Sequence, residues 1–242
     1  MGDAAARARE DPLADLTADE LLRVMGHEIG NLITIVSGYG QMLRDHWGSL
    51  DDARRSDIVA RMNRQIDQLR VLIDNFQHLR WLTVTNGGTA DTPVPTDVDR
   101  LVTSMAEDFR PLAGEHPLMV DLEPGLPLVL LDRAAVQHVL MNLVVNATKF
   151  SPPGEPIELS VRCDDDQVRF EVVDRGPGIP QQKREQVFEK FVRLQRGGVG
   201  VGLGLFISRA LVTSMGGRIW VEDREDGGTR MCFSLPVAPS KN

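Results

Sequence analysis

The chain has 242 residues, of which 42% are hydrophobic and 26% charged, the composition of a folded globular protein with room for one large domain or two ordinary ones. Its formal net charge of −8 repels a phosphate backbone and argues against direct nucleic-acid binding. No stretch approaches the roughly eighteen apolar residues of a membrane span, and the leading MGDAAARAREDPLADL has no signal-peptide hydrophobic region, so a cytoplasmic protein without a membrane segment is expected.

In chain order, Thr17 with Glu20 three residues later reads as a capping box opening a helix. Leu22, Met25, Ile29, Leu32, Val36, Tyr39 and Leu43 then recur at alternating steps of three and four, a heptad seam. The pattern breaks at Trp47-Gly48-Ser49, Asp51 or Asp52 can cap a second helix, and Val59, Met62, Ile66, Leu69, Ile73 and Phe76 repeat the seam. Two long helices joined by a short turn lie antiparallel. A lone hairpin leaves half of each seam in water, which favours association, so a four-helix bundle built by a homodimer is expected.

Residues 86–96, rich in breakers and small residues, read as a linker between a helical hairpin over 1–85 and a second domain over 97–242. The second domain is expected to hold a helix near 97–113, strands near 117–122 and 128–131, and a helix capped by Asp132 running to about Phe150. Strands near 156–163 and 167–173, a glycine-rich irregular region, a helix near 203–215 and strands near 218–222 and 229–235 complete it. This is an α+β pattern closing in an antiparallel hairpin around Asp226-Gly227-Gly228. Cys163 and Cys232 sit in apolar runs, have no zinc-like spacing, and are expected to be buried core thiols.

On the first helix, Glu20, Arg23, His27, Asn31, Thr34 and Gln41 share the face opposite the seam, which points His27 to solvent. A lone helical histidine is ordinarily a surface residue without a role. Neutral imidazole is nevertheless a good nucleophile toward phosphorus, and its attack creates a cationic ring that must lose a proton, so the adjacent Glu28 is useful. Asn142 and Asn146 lie one turn apart on one helix, with Lys149 following. They could be solvated asparagines, but an amide carbonyl is a hard oxygen ligand suited to Mg²⁺ and a lysine suits phosphate. Gly200-Val-Gly202-Leu-Gly204-Leu205 opens a helix whose amides can face phosphate, and its spacing is not that of a dinucleotide fingerprint.

His27-Glu28-Ile29-Gly30-Asn31, Asn142 to Asn146, Asp174-Arg175-Gly176-Pro177-Gly178 and Gly200 to Leu205, in this order, resemble the catalytic core of the sensor histidine kinases over nearly the whole chain. The resemblance implies a dimerising, phosphate-accepting hairpin followed by an α/β sandwich ATP-binding domain of the Bergerat type. It implies His27 as phosphoacceptor, Glu28 as general base, and Asn31 as the residue that positions water to dephosphorylate a partner. It further implies Asn146 as the Mg²⁺ ligand within an ATP site made with Asn142 and Lys149, and Asp174 with Gly176 and Gly178 around the adenine. The partner implied is a response-regulator receiver domain.

Phe188-Glu189-Lys190-Phe191-Val192-Arg193 looks like the family's lid segment; Lys190 or Arg193 can reach phosphate, or both can be a solvated charged face. Related ATPases place a glutamate base where this chain has Asn142, and an amide cannot remove a proton, so a plain ATPase is disfavoured. Gly30 stands where the family usually has a basic residue and Leu32 where it has proline, so any bend beside His27 comes from Gly26, Gly30, Gly38 and Gly40. These departures motivate an alternative, a non-catalytic or phosphatase-dominant scaffold that binds a response regulator. No sensor segment is legible, so the signal arrives from an upstream sensor protein or from a longer chain. His46, His78, His116 and His138 carry no such pattern.

Overall fold

The computed structural model describes residues 18–63, 65, 66, 69, 73, 93–194, 202–224 and 226–239, without the side chains of 18–25, 27 and 28. They fall into two compact units, one holding the N-terminal helices and the other the residues from 93 onward.

In the first unit, α1 (Ala18–His46) runs unbroken through its four glycines. After the turn at 47–51, α2 begins at residue 52. Asp51 caps it: its Oδ1 accepts from the Arg54 N–H at 2.8 Å and its carbonyl from the Arg55 N–H at 3.0 Å. Arg55 donates back to the Trp47 carbonyl at 2.6 Å and lies 4.6 Å over the Trp47 ring, closing the hairpin. Further from the turn, the Met62 methyl lies 3.9 Å from the place of a Cβ on Gly40, as antiparallel pairing requires.

Ile29, Leu32, Val36, Tyr39 and Leu43 are half-buried, as their heptad spacing predicts. On α2 the expected seam splits. Ile58 is buried and Met62 and Leu69 half-buried, while Val59, Ile66 and Ile73 are exposed together with Ile33, Ile35 and Met42 of α1. One pair of helices covers one stripe on each, and residues 59, 66 and 73, seven apart, run along the flank of that stripe. Phe76 lies outside the described residues.

The second unit starts earlier than the sequence suggests. Val94–Thr96, expected within the linker, forms strand β1, paired antiparallel with β3 (Val129–Leu131). Pro95 is tolerated because a two-stranded ribbon has only edges, where a missing N–H leaves no ladder bond unmade. Helix α3 (Val98–Ala113) is capped by Asp97, and α4 (Arg133–Phe150) by the buried Asp132, which accepts from the Ala134 and Ala135 N–H groups at 2.8 and 3.1 Å.

The main sheet has the order β2-β4-β5-β7-β6, from β2 (Leu118–Leu122), β4 (Ile157–Asp164), β5 (Gln167–Val173), β6 (Arg218–Glu222) and β7 (Arg230–Pro236). Only β2 and β4 pair in parallel, α4 lying between them in sequence. Alternation along β4 sends Ile157, Leu159 and Val161 into the core, where Leu101, Met105 and Phe109 of α3 and Val139, Leu140 and Leu143 of α4 are also buried. Phe170 and Phe233 stack across β5 and β7 with centroids 4.5 Å apart.

On the other face, Arg169 bridges Glu171 and Glu222, each at 2.6 Å. Cys232 is buried under this network and its thiol is pushed up to about 12 by desolvation, whereas Cys163 is exposed. The expectation for Cys163 is corrected by its position: it is next to last in β4, at the hairpin, where the core ends. Helix α5 (Gly204–Ser214) completes the layer of helices.

Candidate active site

Helices α4 and α5 meet where Asn142 faces Gly204. The Asn142 Nδ2 donates to the Ser208 Oγ at 2.9 Å, and Ser208 is fully buried. A Cβ on Gly204 would collide with Asn142 Oδ1 and come within 2.9 Å of its Cγ, so the approach requires glycine. Asn146 Nδ2 donates to Asn142 Oδ1 at 3.4 Å. Asn146 thus turns its amide nitrogen toward its neighbour, and its side-chain carbonyl oxygen is a hard donor of the kind that fits a Mg²⁺ ion.

Helix α5 has Leu203 at its N-cap, whose side chain makes no capping hydrogen bond, and its N-terminus carries the positive end of the helix dipole. Gly202 precedes it with φ +74, where its carbonyl accepts from the Phe191 N–H at 2.9 Å and an added Cβ would sit 2.6 Å from the Val192 carbonyl. Phe188 is buried, with the Arg209 guanidinium of α5 5.9 Å from its ring centroid. Phe188 thereby ties its segment to α5.

Lys149, in the last turn of α4, has its ammonium 5.0 Å from the Phe150 ring centroid. The Lys149 ammonium is held below the usual lysine range, first by desolvation and second by the like charge of Arg193. Lys190 and Leu205 are half-buried. Gly200 lies outside the described residues.

Asp174, at the end of β5, is only 6% exposed. Its Oδ1 accepts from the Gly176 N–H at 2.7 Å and the Thr229 N–H at 3.2 Å, and its own N–H donates to the Thr229 carbonyl at 2.9 Å. Burial raises its pKa above the ordinary aspartate value, and the hydrogen bonds from Gly176 and Thr229, then the charge of Arg224, oppose that rise. A Cβ on Gly176 would lie 2.8 Å from the Phe150 carbonyl, which brings this loop against the end of α4. Gly178 has φ +76, and a Cβ there would lie 3.0 Å from the Gly228 carbonyl.

The hairpin carries the other half of the chemistry. His27 and Glu28 lie within α1, and their side chains lie outside the described residues. Asn31, one turn later, is exposed. Thr34 Oγ1 donates to the Gly30 carbonyl at 2.7 Å, a back-bond of the kind that bends helices. Among the described residues, no group of three or more His, Cys, Asp or Glu could hold a metal ion, and no helix is long and apolar enough to cross a membrane.

Residues 17–83 match the His Kinase A (phospho-acceptor) domain, and residues 131–239 match the histidine kinase-, DNA gyrase B- and HSP90-like ATPase domain. The chain belongs to the histidine kinases. This kinase core is 30% identical over 213 residues to the alginate biosynthesis sensor protein KinB of Pseudomonas aeruginosa, which covers 87% of this chain and 36% of KinB. It is 30% identical over 229 residues to the adaptive-response sensory kinase SasA of Prochlorococcus marinus, covering 93% of this chain and 58% of SasA. The kinase core thus spans about a third to three fifths of the length of these relatives. Among solved structures it resembles full-length ShkA in complex with AMPPNP, with a TM-score of 0.62 and 26% identity over 94% of this chain and 47% of that one.

Three residues that position the kinase's loops were not singled out from the sequence. Ser208 holds Asn142, Thr229 closes on Asp174, and Arg224 donates to the Asp174 carbonyl at 3.4 Å; Gly228, read from the sequence only as part of a hairpin turn, packs against the same carbonyl. Ser208 had a usable signal: it lies one helical turn beyond Gly204, on the face that meets α4.

Proposed function

We propose that this histidine kinase core, as a homodimer in the cytoplasm where ATP is available, phosphorylates itself on His27 and passes the group to an aspartate of a response-regulator receiver domain. An imidazole nitrogen of His27 attacks the γ-phosphorus, the bond to the β–γ bridging oxygen breaks, ADP leaves, and Glu28 takes the ring proton. Lys149 and Arg193 hold the phosphates, the N-terminus of α5 faces them, and Asp174 accepts from the adenine amino group in a pocket floored by Gly176 and Gly178. Mg²⁺, held by Asn146, would neutralise phosphate charge when bound. Asn142 positions α5 and Asn146 and supplies no base, and Asn31 holds water against a phosphorylated partner. Lys190, Gly200, Gly202, Gly204 and Leu205 complete the phosphate side.

The observation that carries this reading is the commitment of Asn142 to Ser208 and Gly204. The nucleotide site holds an amide where hydrolytic relatives need a carboxylate, so it suits an external nucleophile that brings its own base. Occupancy of ShkA by AMPPNP supports nucleotide binding by the same fold. The exposed apolar residues flanking the seam, Ile35 and Met42 on α1 and Val59, Ile66 and Ile73 on α2, support pairing of two hairpins.

Incubation with γ-labelled ATP tests the reading. Acid-labile, alkali-stable label is expected on the wild type and none on His27→Gln, whose ATP affinity should stay within about threefold, under 1 kcal/mol. Rapid phosphate release without labelling would make the chain a plain ATPase, and label persisting on His27→Gln would mean another acceptor.

A further inference from the structure

The turn joining β6 to β7 carries an arginine that is unusually enclosed. The Arg224 side chain is 12% exposed although it belongs to a surface turn. It donates from Nη1 to the Asp174 carbonyl at 3.4 Å, and its Nη2 lies 3.9 Å from the Glu158 carboxylate of β4. Its neighbour Asp223 pairs with Arg184, whose Nε donates to the Ile179 carbonyl at 3.3 Å. Further along the same turn, Gly228 has φ +97 and packs so closely that an added Cβ would overlap the Asp174 carbonyl. The turn therefore touches both ends of the segment 174–179.

We infer that Asp223 and Arg224 are positioning residues for the nucleotide, gripping the 174–179 loop at its two ends so that the Asp174 carboxylate stays aimed at the adenine. The inference rests on the adenine reading given above. It adds a reason for the pair: one residue sets the loop exit through Arg184, the other sets the loop entry and places a positive charge behind Asp174. Around Asp174 the charged groups are Arg224 from the turn, Arg175 beside it, Glu158 from β4, and Arg230 from β7, which pairs with Glu171 and Glu222. Helix α4 and the residue after it contribute the Phe150 carbonyl and the Ser151 hydroxyl, which do not titrate. The charge of Arg224 favours the Asp174 carboxylate.

The test measures ATP affinity of the full chain by calorimetry across an acid-to-neutral pH series, in wild type and variants whose folding is checked by thermal melting. Affinity should fall on the acid side as Asp174 gains its proton. Arg224→Gln should move that fall to higher pH, a loss of about threefold at a pH on the falling limb and little change on the plateau, since a tenfold effect corresponds to one full unit. Arg224→Lys should restore the wild-type limb. Glu158→Gln removes the carboxylate that competes for Arg224 and should move the limb the opposite way, which a purely structural role would not do, and it serves if Arg224→Gln folds poorly. Asp223→Ala should weaken ATP at all pH values without moving the limb. A limb unmoved in both Arg224→Gln and Glu158→Gln overturns the inference while leaving the adenine reading intact. A limb that persists in Asp174→Asn overturns both.

Discussion

Gly204→Ala tests whether the α4–α5 junction is as tight as its geometry says. Gly204 has an ordinary helical backbone, so the substitution carries no left-handed strain and its cost is steric. The new methyl would overlap Asn142 Oδ1 and lie 2.9 Å from Cγ and 3.1 Å from Nδ2, where van der Waals contact needs about 3.5 Å or more. Asn142 can yield only by rotating away, which breaks its 2.9 Å bond to Ser208 and leaves a fully buried hydroxyl without that donor. A lost buried hydrogen bond and overpacking of one methyl each cost about 1–3 kcal/mol, and rotation trades one for the other, so about 1–3 kcal/mol is expected in total. For a domain of this size that lowers Tm by about 3–10 °C. ATP affinity should fall as well, because Asn146 loses its neighbour and the first turn of α5 shifts. Asn142→Ala in the Gly204→Ala background should recover much of the Tm without recovering ATP binding. A Gly204→Ala protein that melts and binds ATP like wild type would show that the junction is loose and that the Asn142 contact does not organise the site.

Asp174→Asn should weaken ATP far more than GTP, as measured by competition, because an amide gives no charge-assisted acceptor to the adenine amino group; equal losses would make Asp174 structural. The same variant has a stability signature. Burial raises the folded pKa of Asp174 above its unfolded value, so the native state keeps its proton longer, and stability is lost as pH rises through that interval; the asparagine variant should lack that loss in denaturant titrations at successive pH values. Asn146→Ala should remove the Mg²⁺ dependence of ATP binding in calorimetry with and without the ion, and an unchanged dependence would reject its ligand role. Asn31→Ala should spare autophosphorylation and slow the dephosphorylation of a phosphorylated receiver domain, followed by phosphate loss with ADP and Mg²⁺. Gly38 is helical and a Cβ there meets nothing within 4 Å, so Gly38→Ala should stabilise the hairpin by about 1 kcal/mol in urea unfolding.

Elements of the second unit were legible because each carries a local signal. Asp132 stands before an apolar run and caps α4, and the strands expected near 156–163 and 167–173, where apolar and polar residues largely alternate, are β4 and β5 within one residue at each end. The failures share a cause as well. Val94–Thr96 reads as linker from its prolines, and becomes strand only because β3, more than thirty residues later, offers an edge. Val59, Ile66 and Ile73 obey a seven-residue repeat that gives the period of burial without stating how many helices share it. Cys163 keeps the inward parity of Ile157, Leu159 and Val161, and is exposed because the core ends before the strand does, which its apolar neighbours in sequence do not reveal.

The nucleotide loops show where sequence reading stops in physical terms. Gly176, Gly202 and Gly204 announce close approach, since each position would place a Cβ under 3.0 Å from another atom, but a glycine does not say what approaches. The partners are the Phe150 carbonyl, the backbone of Phe191 and Val192, and Asn142, each contributed by an element distant in the chain or by the loop itself. Polar partners are hidden for the same reason: Ser208 in an apolar helix and Arg224 in a charged turn have ordinary local contexts, and only tertiary contact makes one a tether for Asn142 and the other a cation behind Asp174. Chemistry that depends on residue type, such as an amide in place of a carboxylate at 142, can be argued from the chain alone. Chemistry that depends on which backbone carbonyl a guanidinium reaches requires the fold, and for that reason Arg224 separates the two kinds of evidence: its substitution tests placement while Asp174→Asn tests identity.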